Sequence, residues 1–409
     1  MATSENYKPK KICMVAYTFY ETDNRVRRYA EALAKRGDSV DAIALSRDGK
    51  KPFEVIRGVR VYRVQKRLID ERGPFTYLWK LLMFFIRSAW LTTVMHIKQP
   101  YDVIHVHSVP DFQVFATLIP RILGARVILD IHDIVPEFYA SKFKVSDKSW
   151  VYRTLLLAEK LSIAYSNHVI ISNHLWQEKL IKRAVNPDKC TAIINFPDLS
   201  IFSPRPPGTP GHDDFVICYP GTLNWHQGLD VAIAAVALLR DQAPRLKFLI
   251  VGDGPEREKL KAMVKEQNLE NCVELRGFTP IEEVAEIMNN IDLGVVPKRK
   301  DSFGDQAFST KIMEFMSKGV PVIASRTTID EYYFNESILQ FFESGNANDL
   351  ASKIMEMMRS PEKRCSLARR ALEFIANNNW DVKKEEYLAL VDGLASKKSK
   401  KGTLGQIAS

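Results

Sequence analysis

At 409 residues, 46% apolar and 26% charged, the chain is too long for one hydrophobic core and too ordinary in composition for a fibrous or wholly disordered protein. Its five cysteines, Cys13, Cys190, Cys218, Cys272 and Cys365, form no C-x-x-C pair, which excludes a disulfide framework and a zinc site of ordinary spacing. The net charge of +9 is uneven: residues 1–203 hold 31 Lys and Arg against 20 Asp and Glu, whereas 204–409 hold 27 against 29. A basic first half implies an anionic partner, whether phospholipid, phosphorylated ligand or nucleic acid.

The opening MATSENYKPKK lacks the apolar core of a signal peptide, and a reducing cytosol is the expected compartment. From residue 11 onward, short β-rich runs alternate with helical patterns. KICMVA (11–16) predicts a strand, and RVRRYAEALAKRG (25–37) a helix that stops at Gly37. Further strands are predicted at SVDAIAL (39–45), VRVYRV (59–64), DVIHVH (102–107), RVILDIH (126–132), HVIIS (168–172) and CTAIIN (190–195). Such alternation predicts a parallel, doubly wound sheet.

Within that half, PFTYLWKLLMFFIRSAWLTTVMH (74–96) is the most apolar stretch. It is long enough to span a bilayer, but Lys80 and Arg87 interrupt it on one helical face. Residues 57–87 carry eight basic and two acidic side chains. Two readings stay open: a helix packed on its own sheet, or one lying in the interface of an anionic membrane.

SPRPPGTPGHD (203–213), with four prolines and two glycines, predicts a linker. The alternation restarts at DFVICYPG (214–221), LKFLIVGDG (246–254), CVELRG (272–277), DLGVVP (292–297) and PVIAS (321–325). The expected organisation is one Rossmann-like domain over 8–203, a linker at 204–213 and a second domain over 214–379. A helix near 380–395 is expected to pack back on the first domain, followed by a basic disordered tail at 396–409.

Open parallel sheets bind ligands beyond the carboxyl ends of their strands, so the corners that follow strands are candidate sites in a cleft between the two domains. In SFGDQAFSTKIMEFMSKGVPVIAS (302–325), Ser309 and Thr310 are N-cap types opening a helix. A helix N-terminus favours phosphate. Lys311 adds a cation for a diphosphate, and Glu314 can accept two hydrogen bonds from a ribose diol. The bland alternative is a surface Lys–Glu pair beside a cap. YPGTLNWHQGLD (219–230) is a second strand–turn–helix corner, with Gly221 and Gly228 allowing close backbone approach and with Trp225 and His226 unusual in a structural turn. VGDGPEREKL (251–260) has the same form around Gly252, although a lone G-x-G is weak.

In the first half, His105 and His107 share a strand face, Asp111 lies in the loop beyond, and His132 and Asp133 follow another strand. His105 reads as core. His107 and His132, at the strand ends, read as polar contacts to substrate. The acids lie in separate loops, which argues against a metal.

The whole chain, roughly residues 10–395, resembles the family-4 retaining glycosyltransferases of the GT-B fold. The match runs in order through DNRVRRYAEALAKRGDSVDAIAL, DVIHVHS, ILDIHDIVPEFY, VIISNHL, IINFPDLSIFSP, YPGTLNWHQGLDVAIAAV, LIVGDGPEREKL, LRGFTPIEEVAEIMNNIDLGVVP and STKIMEFMSKGVPVIAS. The resemblance implies a nucleotide-diphosphate sugar donor on the second domain and an acceptor on the first, with His107, Asp111 and Asp133 as acceptor candidates. It also implies no side-chain nucleophile, no metal and no cofactor. Glu314 matches the second acid of E-x7-E, which binds ribose, and Ser309, Thr310 and Lys311 would hold the diphosphate. Phe278 and Thr279 match the base-recognition segment, and His132 a histidine that contacts the donor sugar.

Two positions depart from the pattern. Gln306 stands where the first acid falls, leaving Asp305 or Asp301 as substitutes. Thr222 and Gln227 stand where many members carry Arg and Lys, which throws the diphosphate charge onto Lys311, with the Lys298–Arg299–Lys300 run nearby. The expected activity is sugar transfer to a glycan or lipid-linked acceptor in cell-surface polysaccharide assembly, with UDP ahead of GDP as nucleotide. The expected place is the cytoplasm, on the inner face of the membrane if 74–96 docks there. The rivals are a sugar-nucleotide epimerase of the same fold and a non-catalytic nucleotide- or glycan-binding protein. Nucleic acid is disfavoured because the basic residues are not interleaved with stacking aromatics.

Overall fold

The computed structural model describes residues 7–67, 74–143, 146, 148–205, 211 and 213–406. The chain forms two compact units, Met1–Ile194 with Lys384–Ser409, and Asn195–Lys383.

The first unit contains strands β1 (Lys11–Phe19), β2 (Ser39–Ser46), β3 (Phe53–Ile56), β4 (Val59–Lys66), β5 (Val103–His107), β6 (Arg126–Ile131), β7 (His168–Ile171) and β8 (Cys190–Ala192). Its helices are α1 (Asn24–Arg36), α2 (Pro74–Lys98), α3 (Leu118–Ile122), α4 (Val135–Phe143), α5 (Trp150–Tyr165) and α6 (His174–Arg183). The sheet order is β3-β4-β2-β1-β5-β6-β7-β8. Every pair is parallel except β3–β4, a short antiparallel hairpin that the alternation pattern does not reveal. Central strands covered on both faces need no polar side, and β1, β5, β6 and β7 are buried almost throughout. The order reverses between β1 and β5.

Local signals set the helices. Asp23 caps α1 by accepting from the N–H groups of Arg25 and Val26, and Gly37, at φ +102°, ends it with its N–H directed to Ala34 O and Leu33 O. Among the described residues, one helical stretch, Thr76–Lys98 of α2, is long and apolar enough to cross a membrane. It packs against β1, β4 and the 3-10 segment Asp111–Thr117 of its own unit.

The second unit contains β9 (Phe215–Pro220), β10 (Leu246–Val251), β11 (Val273–Arg276), β12 (Leu293–Val296), β13 (Val322–Ser325) and β14 (Gln340–Phe342). Its helices are α7 (Leu229–Leu239), α8 (Arg257–Glu266), α9 (Ile281–Ile287), α10 (Thr310–Ser317), α11 (Thr328–Tyr333), α12 (Ala347–Arg359) and α13 (Pro361–Asn377). The sheet is wholly parallel in the order β11-β10-β9-β12-β13-β14, reversing between β9 and β12. Its core joins β9 and β10 to α7 and α12 through Ile217, Phe248, Ala232, Val236, Leu350 and Ile354. Gly294 in β12 lets the Phe315 ring of α10 lie flat on the sheet; a Cβ there would overlap the ring. This contact fixes the height of α10.

The boundary between units falls at Ile194–Asn195, ahead of the Pro-rich stretch, because residues beyond it pack on the start of the last helix, α14 (Trp380–Gln406). Trp380 N donates to Pro197 O at 2.9 Å, and Lys383 lies over the Phe196 ring at 5.8 Å. Of the expected linker, residues 206–210 and 212 lie outside the described residues. From Lys384 onward α14 belongs to the first unit: Tyr387 is fully buried there, and Asp392 pairs with Lys10 and Arg36. The helix runs on to Gln406, through most of the stretch expected to be disordered; once nucleated, a Lys- and Leu-bearing segment propagates as helix.

Candidate functional site

The second unit gathers its candidates at the carboxyl edge of the sheet, where β9 and β12 part and a doubly wound sheet leaves a crevice. Two corners meet there. The turn after β9 is tied to the loop after β12: Arg299 N donates to His226 O at 2.8 Å, the Arg299 guanidinium pairs with Asp230 at 2.5 Å and lies 4.7 Å from the Trp225 ring centre. Gly228, at φ +64°, is pressed so closely on Pro297 O that any Cβ would overlap it.

The loop after β12 then delivers α10. Ser309 is its N-cap residue in extended conformation, buried, with no side-chain capping bond. The first turn of α10, where Ile312 N donates to Ser309 O at 3.2 Å and no side chain caps the end, carries a partial positive charge. Lys311 folds back over Gly221: a Cβ on Gly221, whose φ is +134°, would stand 2.9 Å from Lys311 Cε. The Lys311 ammonium lies 3.4 Å from Gln227 Oε1 and 5.1 Å from the centre of the Tyr219 ring. Burial pushes its pKa down to about 8, while the nearby Glu314 carboxylate pulls it back up. Lys311 thus couples the two corners, with Glu314 one turn further along the same helix.

The remaining donor-side candidates surround this centre. Thr222 is exposed beside Gly221, and Gly252, at φ +144°, packs directly on the Gly221 backbone. Phe278 is exposed after β11, where Thr279 Oγ1 donates to Gly277 O at 3.1 Å. Gln306 and Thr310 are partly buried in and after the β12 loop.

The acids near Gln306 are both engaged. Asp305 accepts from Thr328 N at 2.8 Å and Thr328 Oγ1 at 2.7 Å, which holds the start of α11. Asp301 accepts from Phe303 N at 2.8 Å, Gly304 N at 3.0 Å and His226 Nδ1 at 2.7 Å. Burial disfavours its charge, yet the His226 bond and the two backbone N–H groups hold its pKa at about 2. The cationic run is engaged too: Lys298 is buried, donating to Ala307 O at 2.7 Å and pairing with Asp330 at 2.9 Å.

The first unit has its own pocket at the β1/β5 reversal, about 250 Å³, lined by Tyr17, Thr18, Arg67, Tyr77, His107, His132 and Asp133 among others. Beneath it lies a network that the sequence reading misses. Arg25 of α1 grips Asp130 of β6 with both edges, Nε to Oδ2 at 2.8 Å and Nη2 to Oδ1 at 2.7 Å. Asp130 Oδ2 is also 3.3 Å from His132 Nε2 and 3.2 Å from His107 Nδ1. His105 continues the chain, its Nδ1 2.9 Å from Tyr387 Oη. Burial opposes the charge on Asp130, but Arg25 keeps its pKa well below the usual carboxylate range. Burial lowers the pKa values of His105 and His107, so both are neutral near pH 7. His132 is tied inward through Nε2 while its ring reaches the pocket.

Among the described residues, His105, His107 and Asp130 form the group of metal-ligating type. A cation fits poorly, because the Arg25 guanidinium already covers both Asp130 oxygens. Asp133 lines the pocket, and burial raises its pKa. Asp111 does not line it: it is buried, accepts from Ser108 Oγ, and burial lifts its pKa to about 6. The signal for Asp130 was its place two residues before His132, on the same strand face.

Comparison with known proteins is consistent across both units. The model "Glycosyl transferases group 1" matches residues 204–374, and "Glycosyl transferase 4-like domain" matches 22–195. The chain is 31% identical over 155 residues to the putative colanic acid biosynthesis glycosyltransferase WcaL of Escherichia coli, 37% of each chain. It is 27% identical over 271 residues to the phosphatidylinositol N-acetylglucosaminyltransferase gpi3 subunit of Schizosaccharomyces pombe, 66% of this chain and 54% of that one. The chain thus spans about a third to a half of the length of these curated relatives. Among solved structures, Anabaena HepE in complex with UDP and glucose superposes with a TM-score of 0.70 at 17% identity, covering 94% of this chain and all of that one.

Proposed function

The chain belongs to the glycosyl transferases of group 1, with a glycosyl transferase 4-like first unit and the GT-B fold, and from that membership we propose a retaining, metal-independent glycosyltransferase that uses a nucleotide-diphosphate sugar. The second unit takes the donor. Lys311, the first turn of α10 and the backbone at Gly221 receive the diphosphate, and Glu314 receives the ribose diol. Thr222, His226, Gln227, Gly252, Phe278, Thr279, Gln306, Ser309 and Thr310 complete the surround. The first unit takes the acceptor at the pocket beside His107 and Asp133, and His132 serves the transferring sugar.

The observation that carries this reading is Lys311 folded over the bare α-carbon of Gly221, at the point where the sheet order reverses. A partly buried cation beside a helix N-terminus and glycine backbone suits an anionic group such as a diphosphate. UDP is the preferred nucleotide, supported by the complexes of HepE with UDP and with UDP-glucose. In such a reaction the diphosphate leaves from the face that the acceptor hydroxyl approaches, and its oxygen takes the hydroxyl proton. No side-chain nucleophile is needed, and Lys311 stabilises the charge that develops on the leaving group. A glycan or lipid-linked acceptor is supported by the names of the relatives, colanic acid biosynthesis and phosphatidylinositol N-acetylglucosaminyltransferase.

The test is nucleotide release from a panel of UDP- and GDP-sugars in EDTA, with the anomeric configuration of the product read by proton NMR. Release from one donor with the anomer retained supports the assignment. Release only when a divalent cation is supplied, or an inverted product, overturns the corresponding part.

A further inference from the structure

A helix on a water-soluble unit normally turns its large apolar side chains to the core and its polar ones to water. In α2 polar side chains join the buried line and large apolar ones are left exposed. Its inward line is Leu81, Phe84, Ser88, Thr92 and His96, all buried. The polar atoms on that line have partners: Ser88 Oγ accepts from Gln113 Nε2 at 2.6 Å, Thr92 Oγ1 donates to Ser88 O at 2.7 Å, and His96 Nδ1 accepts from Tyr101 N at 3.0 Å. The outward line is Leu78, Trp79, Leu82, Ile86, Trp90 and Ile97, between 44% and 67% exposed.

Neighbouring elements extend this surface. The segment Asp111–Thr117 lies against both α2 and α5, with Phe112 6.3 Å from Phe85 and Phe115 5.0 Å from Tyr165. From it emerges α3, with Leu118, Ile119, Ile122 and Leu123 exposed and Arg121 over the Tyr165 ring at 4.3 Å. Trp150, Leu157 and Leu161 are exposed along α5 at spacings that share one helical face.

The charge on these helices is one-sided. Together α2, α3 and α5 carry Lys80, Arg87, Lys98, Arg121, Arg153 and Lys160 against one acid, Glu159. That acid is buried and paired with Arg183.

We infer that the α2–α3–α5 face is the docking surface of this protein for an anionic lipid bilayer. Exposed tryptophans and leucines among cations match the apolar boundary and negative head groups of such a surface. A second copy of the same face would set cations against cations, which disfavours a symmetric dimer. This deepens the lipid-linked acceptor reading and rests on it: Tyr77, in the first part of α2, lines the acceptor pocket, so docking brings the pocket rim to head-group level.

The test is flotation of the full chain with phosphatidylcholine vesicles with and without phosphatidylglycerol, beside the double variant Trp90→Glu/Ile122→Glu. Both residues are exposed, so folding is retained, and melting curves check this. The expected result is flotation with anionic vesicles, weakened by salt and reduced at least about tenfold in the variant. Equal flotation of both proteins overturns the inference. So does no flotation at low salt, or self-association that the variant abolishes, which would make the face a protein interface. UDP titration of the same samples reports the second unit separately: flotation without UDP binding would keep the docking surface and sink the donor assignment.

Discussion

Raising the pH from 7 to 9 is expected to weaken UDP binding about tenfold, through Lys311. Burial sets its pKa near 8, against 10.5 for an ordinary lysine. In the free protein about nine chains in ten carry the charge at pH 7 and about one in ten at pH 9. A phosphate about 4 Å away, at the effective dielectric of a protein surface, stabilises the ammonium by about 4 kcal/mol, or about three pKa units. The complex therefore stays protonated across this range. Because the complex holds more protons than the free protein, affinity falls as pH rises past 8 and binding takes up close to one proton. The terminal phosphate, with its second pKa near 6, adds little slope above pH 7. Calorimetry in buffers of different ionisation enthalpy reads both the affinity and the proton uptake. Lys311→Arg, charged throughout, should bind with a flat profile. A slope that persists in Lys311→Arg, or a flat wild-type profile, would refute the reasoning.

Three further outcomes follow from particular contacts. Gly228→Ala adds a Cβ that overlaps Pro297 O at φ +64°, so it should cost about 3 kcal/mol or more and lower the melting temperature of the second unit by about 6–12 °C; an unchanged melt would show that the corner relaxes freely. Asp130→Asn removes the counter-charge of buried Arg25, a loss of about 3–5 kcal/mol in denaturant unfolding, and the double variant Arg25→Leu/Asp130→Leu should lose less. Asp305→Ala should lower stability by about 1 kcal/mol by removing the two bonds that hold Thr328 at the start of α11, while leaving UDP affinity within about twofold; a large affinity loss would instead give Asp305 the role of the missing acid.

The sequence made the layout legible where short-range signals decide it. Apolar runs read as central strands because both faces of those strands are covered, and Asp23 and Gly37 mark the ends of α1. Ser309, Lys311 and Glu314 could be placed together because they sit within two turns of one helix. Pairings over long separations were hidden. Arg25 meets Asp130 across 105 positions, and Lys298, read as part of a cationic run beside the diphosphate, is buried against Asp330 of another element. Asp305 looks like a spare acid in sequence, yet its partner is Thr328. Helix α2 was ambiguous for a related reason: periodicity reports that a helix has an apolar side, but not which side meets the sheet. Strands β3 and β14 escaped the reading: each is a short strand at the outer edge of its sheet, and β3 joins by an antiparallel hairpin outside the strand–helix alternation.

The central claim is a nucleotide-diphosphate site built from Gly221, Lys311 and Glu314, and calorimetric titration of UDP, GDP and ADP in EDTA tests it most directly, with Glu314→Ala alongside. The account predicts selective binding of one nucleotide, UDP first, weakened in the variant by about 1–3 kcal/mol for a lost charged hydrogen bond. Binding of none of the three, or equal binding by wild type and a folded Glu314→Ala, would contradict it.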